Sequence, residues 1–183
     1  QAPDSGNAEI LAKFGTDDQK ERFLKPLLNA EIASCYSMTE PQAGADPGEF
    51  LCTATRDGDE WVINGEKWFA SHARFSAFLL VMVVTNPDVP IHKGASIFLV
   101  EQGTPGMDII RNSAVGPYVE QGDGVHAYIE FKNCCVPANN LLGEEGDGFL
   151  VAQTRLGGGR VHHAMRSVGV IRKAIDMMCE RAL

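Results

Sequence analysis

Between residues 34 and 131 the chain alternates short apolar runs with clusters of Gly, Pro, Asn and Asp, and nothing else in it limits the fold so tightly. The runs at 34–39, 51–56, 61–63, 77–85, 95–101, 107–110 and 126–131 are predicted strands. Short segments rich in β-branched and aromatic residues, bounded by turn residues, suit a pleated and half-buried surface. Many such strands at this spacing predict a small antiparallel barrel or sandwich. Asp57-Gly58 and Asn64-Gly65 are hairpin signals, because those residues tolerate positive φ, so residues 57–71 read as strand, turn, strand.

On either side the period becomes helical. Residues 1–31 read as helix after a polar lead-in, with Thr16 as N-cap and Gln19 at capping-box spacing. Phe23, Leu24, Leu27 and Leu28 form an apolar stripe, and Pro26 inside it predicts a break or kink, giving two short helical pieces. From Gly148 onward, Met165, Val168, Ile171, Ile175, Met178 and Ala182 recur at three- and four-residue steps and make one apolar face. Gly157-Gly158-Gly159 costs a continuous helix about 1 kcal/mol per residue relative to alanine, which predicts two helices separated there. Residues 87–94 read as a surface connection.

A length of 183 residues supports one ordinary domain, and 44% hydrophobic with 22% charged residues is the composition of a soluble globular chain. The formal net charge of −8 argues against nucleic acid or an anionic membrane as the main partner. No apolar run is long enough to span a bilayer. The five cysteines are odd in number and lack Cys-x-x-Cys spacing, which predicts buried free thiols in a reducing compartment, not a disulfide framework or a zinc site. The chain starts without Met and ends inside the helical pattern of residues 175–183, and so reads as a piece of something longer.

Four stretches carry the functional signal. The first is Tyr36-Ser-Met-Thr-Glu-Pro-Gln-Ala-Gly-Ala-Asp46, where Glu40-Pro41 ends a strand. Ala43, Gly44, Ala45 and Asp46 then let backbone N–H groups approach an anion such as a pyrophosphate. The Thr39 hydroxyl just before the bend can both donate and accept. Alone, this is equally a strand followed by a tight turn. The second stretch is residues 57–71, with Trp61, Trp68 and Phe69, which by themselves read as sheet core. The third is residues 136–149. The fourth is Gly157-Gly158-Gly159-Arg160, read as opening a helix; an arginine at a helix start opposes the helix dipole and favours an anion nearby. His162 and His163 stand about 100° apart on a helix and cannot share a metal through one face.

Taken in this order, the four stretches resemble the FAD-dependent acyl-CoA dehydrogenase family, most of all its subgroup with a Trp-rich second motif and Arg-x-His-His after the glycines. The resemblance covers nearly the whole chain. It implies a mixed α and β fold: a small antiparallel β-barrel at 32–142, preceded at 1–31 by the end of an N-terminal all-α domain and followed at 143–183 by the start of a C-terminal one. It further implies that Tyr36, Met38 and Thr39 line the flavin ring and that Gly44 and Ala45 flank the pyrophosphate. Phe69, Ala70 and Ser71 would match the segment whose aromatic ring packs on the flavin and whose hydroxyl reaches its N5 edge. Ala45, Gly159 and Arg160 would lie near the substrate.

The chain departs from the family pattern at three of these positions. Ala45 stands where Ser or Thr is usual, losing a donor worth about 0.5–1.5 kcal/mol. Phe69 stands where Trp is usual, keeping the stacking face without the indole N–H. Gly159 stands where some members carry the catalytic base, and in most others the base lies well beyond residue 183. The resemblance thus implies oxidation of an acyl-CoA at Cα–Cβ to the trans-2-enoyl-CoA, with hydride passing to FAD. The base would be absent from this chain, and the chain alone would turn over little substrate. Implied partners are the acyl-CoA, electron-transfer flavoprotein or a similar acceptor, and further copies in a homodimer or homotetramer. The implied location is bacterial cytoplasm, mitochondrion or peroxisome. Two other readings stand beside this one: a non-catalytic flavin- or CoA-binding or assembly module built on the same fold, and a relative that oxidises another substrate or activates oxygen.

Overall fold

Thr16 caps a helix as its spacing predicts. Its hydroxyl accepts from the Gln19 N–H at 3.2 Å, and the Gln19 side chain accepts from the Thr16 N–H at 3.2 Å. The computed structural model describes residues 2–113 and 126–182; Gln1 and Leu183, the ends of the first and last expected helical segments, lie outside the described residues. Helix α1 (Asp4–Phe14) precedes this cap. After it, α2 (Asp17–Gln19) runs through one π turn (Lys20–Leu24) directly into α3 (Lys25–Leu28). The chain is thus not broken at Pro26; the irregularity there takes the form of the π turn just before it. Proline falls in the first turn of α3, where its missing N–H is tolerated, and the wider turn before it absorbs the change of phase.

The predicted strands are all present: β1 (Ser34–Ser37), β2 (Thr53–Asp57), β3 (Glu60–Ser71), β4 (Phe78–Val84), β5 (Ala95–Glu101), β6 (Met107–Asn112) and β7 (His126–Pro137). They form one sheet with the path β1-β4-β2-β3-β7-β6, and β5 pairs β4. Single-residue pairings, Thr53 with Val84 and Tyr36 with Ser71, link β2 to β4 and bring β1 back onto β3. The sheet is mixed and not antiparallel throughout: β1 runs parallel to β4 from Ser34↔Phe78 to Ser37↔Val81. A parallel pair needs a long connection, and residues 38–77 supply one.

All seven residues of β4 are buried, so both of its faces carry core. Leu79, Val81 and Val83 pack with Trp61, Ile63, Phe98, Ile129 and Phe131. Phe78, Leu80 and Met82 turn the other way, onto Ile10, Leu11, Phe23, Leu27 and Val151 of the helices. The helices and the sheet thus share a core.

Asn64-Gly65 does not turn the chain. It sits inside the twelve-residue β3, where the register against β7 shifts between Ile63 and Gly65. Gly65 holds φ +136°, and a Cβ there would fall 2.6 Å from the Cys52 Cα, so glycine is required by close backbone approach within a bulge. Asp57-Gly58, by contrast, does make the β2–β3 hairpin, with Asp57 paired to Glu60. The connection after β4 contains the short helix α4 (Ile91–Gly94). Of the five free thiols, Cys35, Cys52 and Cys134 are buried while Cys135 and Cys179 are exposed.

The largest departure from expectation is α5 (Gly148–Ala182), one helix that runs unbroken through Gly157, Gly158 and Gly159. Glycine lowers helix propensity without forbidding the helical backbone, and no proline interrupts the ladder. A Cβ on any of the three would meet no heavy atom within 4 Å. Gly157→Ala is accordingly expected to stabilise the protein by about 1 kcal/mol, read as a rise of roughly 2–4 °C in thermal midpoint. A lower midpoint would show that the glycine backbone does something alanine cannot. The first turn of α5 is anchored through buried Val151 and Ala152, whereas the apolar face from Met165 to Met178 is exposed.

Candidate functional site

A cavity of about 480 Å³ opens where β1, the following turn, β3 and the first half of α5 meet. Its walls include Tyr36, Met38, Thr39, Gly44, Ala45, Phe69, Ser71 and Arg160, all singled out from the sequence. Trp68, Gln153 and Arg155 join them. Two expected residues are placed elsewhere. Ala70 is fully buried beneath the wall, and Gly159 faces a neighbouring cavity of about 800 Å³ between α1 and α5, which Arg155 and Arg160 also line.

The aromatic wall comes from a bulge. A regular strand sends alternate side chains to opposite faces, yet the adjacent Trp68 and Phe69 both line the cavity. The β3–β7 register shifts between Lys67 and Ala70, and Phe69 takes φ +53°. A non-glycine residue at positive φ costs of order 1–3 kcal/mol and is held by its surroundings. Here the two rings stack with centroids 4.6 Å apart and planes at 25°, and Phe69 stays 38% exposed toward the opening. The Trp68 backbone N–H donates to the Thr39 carbonyl at 2.8 Å, tying the bulge to the end of β1.

The turn after β1 hangs from an ion pair that the sequence reading missed. Lys67 is fully buried and donates to Glu40 Oε1 at 2.8 Å and to the Met38 carbonyl at 2.9 Å. Its ammonium also lies 4.5 Å from the centroid of the Phe50 ring. The Glu40 carboxylate further accepts from the Leu51 N–H at 2.7 Å, the Cys52 N–H at 3.1 Å and Gln42 Nε2 at 2.7 Å. Burial pulls the Lys67 ammonium below its ordinary value, and Glu40 opposes that pull. The only sequence signal was a charged residue in the middle of an otherwise alternating strand.

Arg155 was missed as well. Its guanidinium lies over the Tyr36 ring at 3.9 Å from the centroid, and its Nε donates to Asn7 Oδ1 at 2.8 Å. Asn7 in turn donates to Ser34 Oγ at 2.8 Å, and Asp4 accepts from the Ser34 N–H and hydroxyl at 2.7 Å. This chain of contacts fixes α1, β1 and α5 around one end of the cavity. Burial pushes the Tyr36 phenol up to about 12, with Arg155 opposing, so its hydroxyl is a donor at neutral pH, and it lies 3.7 Å from Met38 Sδ.

Arg160 lies well inside α5 and not at a helix start, so the helix-dipole argument does not apply to it. Its guanidinium donates to Gln153 Oε1 at 2.7 Å. His162 and His163 line the second cavity with ring centroids 5.9 Å apart, and no cluster of metal-ligating side chains occurs among the described residues.

The donor set suits a flat, heteroatom-edged ligand with an anionic arm. Thr39 and Ser71 bring hydroxyls to the wall, while Trp68 Nε1 is shielded from solvent and has no hydrogen-bond partner among the described residues. Gly44 and Ala45 are exposed on the wall, and a Cβ on Gly44 would meet no heavy atom within 4 Å, so the protein's own packing does not demand glycine there. Two guanidinium groups supply positive charge in a chain of net charge −8.

Comparison with known proteins gives one consistent answer. The model of the acyl-CoA dehydrogenase middle domain matches residues 35–134. A Mycobacterium tuberculosis protein described as "Probable acyl-CoA dehydrogenase FadE2" is 46% identical over 183 residues, covering 98% of this chain and 44% of that protein. Human acyl-CoA dehydrogenase family member 11 is 44% identical over 186 residues, covering 100% of this chain and 24% of its own length. Among solved structures, butyryl-CoA dehydrogenase from Megasphaera elsdenii superposes with a TM-score of 0.76 at 32% identity, over 84% of this chain and 39% of the other. The chain thus spans less than half the length of these relatives.

Proposed function

Because this chain belongs to the acyl-CoA dehydrogenase family, we propose that its 480 Å³ cavity holds the isoalloxazine and pyrophosphate of FAD for the α,β-oxidation of an acyl-CoA. One observation carries the reading: residues from β1, its turn, the β3 bulge and α5, far apart in sequence, converge on a single cavity. The chemistry FAD would supply when bound is that of a hydride acceptor. This chain's residues bind and orient it. Phe69 and Tyr36 would offer ring faces, the Thr39 and Ser71 hydroxyls would hydrogen-bond its heteroatoms, and the backbone at Gly44 and Ala45 would receive the pyrophosphate. Arg160, shared by the two cavities, is the candidate for the thioester end of the substrate. Gly159 brings no side chain, so the base that takes the α-proton is supplied from outside this chain.

The acyl-CoA substrate, an electron-transfer flavoprotein or similar acceptor, and a homodimeric or homotetrameric assembly belong to the same proposal. The test is titration of the purified protein with FAD, followed by flavin fluorescence and absorbance. Saturation at one FAD per chain is expected, with perturbed flavin bands from the stacked aromatic wall. No stoichiometric binding would leave the assembly-module reading in its place, which the departures at Ala45, Phe69 and Gly159 fit.

A further inference from the structure

Ser71 and His126 are paired residues on β3 and β7, and Ser71 Oγ lies 2.8 Å from His126 Nδ1. The imidazole also stands edge-on to Phe69, with centroids 6.2 Å apart and planes at 72°. It therefore touches two members of the cavity wall without itself lining the cavity. A serine hydroxyl has one proton and two lone pairs. If Nδ1 accepts that proton, the oxygen turns lone pairs toward the cavity. If Nδ1–H donates to the oxygen, the serine proton points into the cavity instead. The state of His126 thus decides whether this part of the wall presents an acceptor or a donor.

A flavin distinguishes the two, because its N5 is an acceptor when oxidised and an N–H donor when reduced. We propose that His126 is a positioning residue, which sets the direction of the Ser71 hydroxyl and thereby the balance between oxidised and reduced flavin in the cavity. The proposal rests on the flavin reading above. It involves no net transfer of a proton to the flavin, only the sense of a hydrogen bond.

The experiment is a double-mutant cycle on the flavin-loaded protein with His126→Leu, Ser71→Ala and the pair, read as the midpoint potential by dye equilibration and as FAD affinity by fluorescence titration. In the Ser71 background, His126→Leu is expected to change the ratio of affinities for reduced and oxidised flavin about tenfold, or about 30 mV for a two-electron couple. A shift favouring the oxidised form identifies Nδ1 as the acceptor; a shift favouring the reduced form identifies it as the donor. In the Ser71→Ala background the same substitution is expected to do nothing. His126→Asn, which can present an amide to the Ser71 hydroxyl, is expected to restore part of the ratio and serves if the leucine variant does not fold. An unchanged ratio, or the same change with and without the Ser71 hydroxyl, overturns the proposal. Failure of the unsubstituted protein to bind flavin overturns the functional reading and this inference together.

Discussion

Lys67→Met is expected to destabilise the protein by about 3–5 kcal/mol, the cost of leaving one half of a buried ion pair behind. Both partners are sealed from water, Lys67 at 0% and Glu40 at 1% exposure, so neither can recover hydration when the other is removed. The methionine keeps most of the volume, and the loss is electrostatic. The Met38 carbonyl also loses its lysine donor, and with it goes the strap that holds the β1 turn against β3. Glu40 keeps the N–H groups of Leu51 and Cys52, which limits the damage and sets the form of the control. In the Lys67→Met background, Glu40→Gln removes the stranded charge while retaining one acceptor oxygen, and is expected to recover part of the loss. The measurement is a pair of urea titrations, with midpoint lowered and slope unchanged. A loss under about 1 kcal/mol would mean that water reaches the pair, and the turn would then need another anchor.

This ion pair also shows what the sequence could and could not reveal. Strands were legible because β4 and β5 are continuous apolar runs and because Asp57-Gly58 marks a true hairpin. The turn at 40–46 was legible from Glu40-Pro41 and the small residues after it. Asn64-Gly65 was misread because the same residue types serve a bulge and a turn. The deciding fact, the approach of the Cys52 backbone to Gly65, is a contact between strands that no local pattern contains. The triple glycine was misread because propensity is a weak prior that a continuous ladder overrides. The cavity's residues were found through motifs, but their supports were not. Lys67 carries a charge into a core, Arg155 reaches back across the chain to Asn7, and His126 hydrogen-bonds Ser71. Each of these depends on a partner far away in sequence, so its meaning appears only once the strands and helices are set side by side.

Gly44→Leu is expected to leave the ligand-free fold within about 0.5 kcal/mol of the parent and yet to weaken FAD binding by roughly 10–100-fold. The first half follows from geometry. Gly44 does not hold the left-handed backbone region that would require glycine, and the space beside its Cα is open. The second half follows from the proposed nest. A branched side chain on the wall would hold the pyrophosphate away from the backbone N–H groups, and hydrogen bonds to a charged group are worth about 1.5–3 kcal/mol. Ala45→Ser, one residue along the same wall, should act in the opposite direction. It returns a hydroxyl donor to a phosphate site and is expected to tighten FAD by about 0.5–1.5 kcal/mol, or 2- to 10-fold. Opposite effects on binding at neighbouring positions, with neither variant altering the urea midpoint, are what a phosphate-receiving turn requires. Equal weakening by both would instead mark a turn that merely shapes the entrance, and the pyrophosphate would have to be sought near Arg155 and Arg160, the two arginines on the wall of the same cavity.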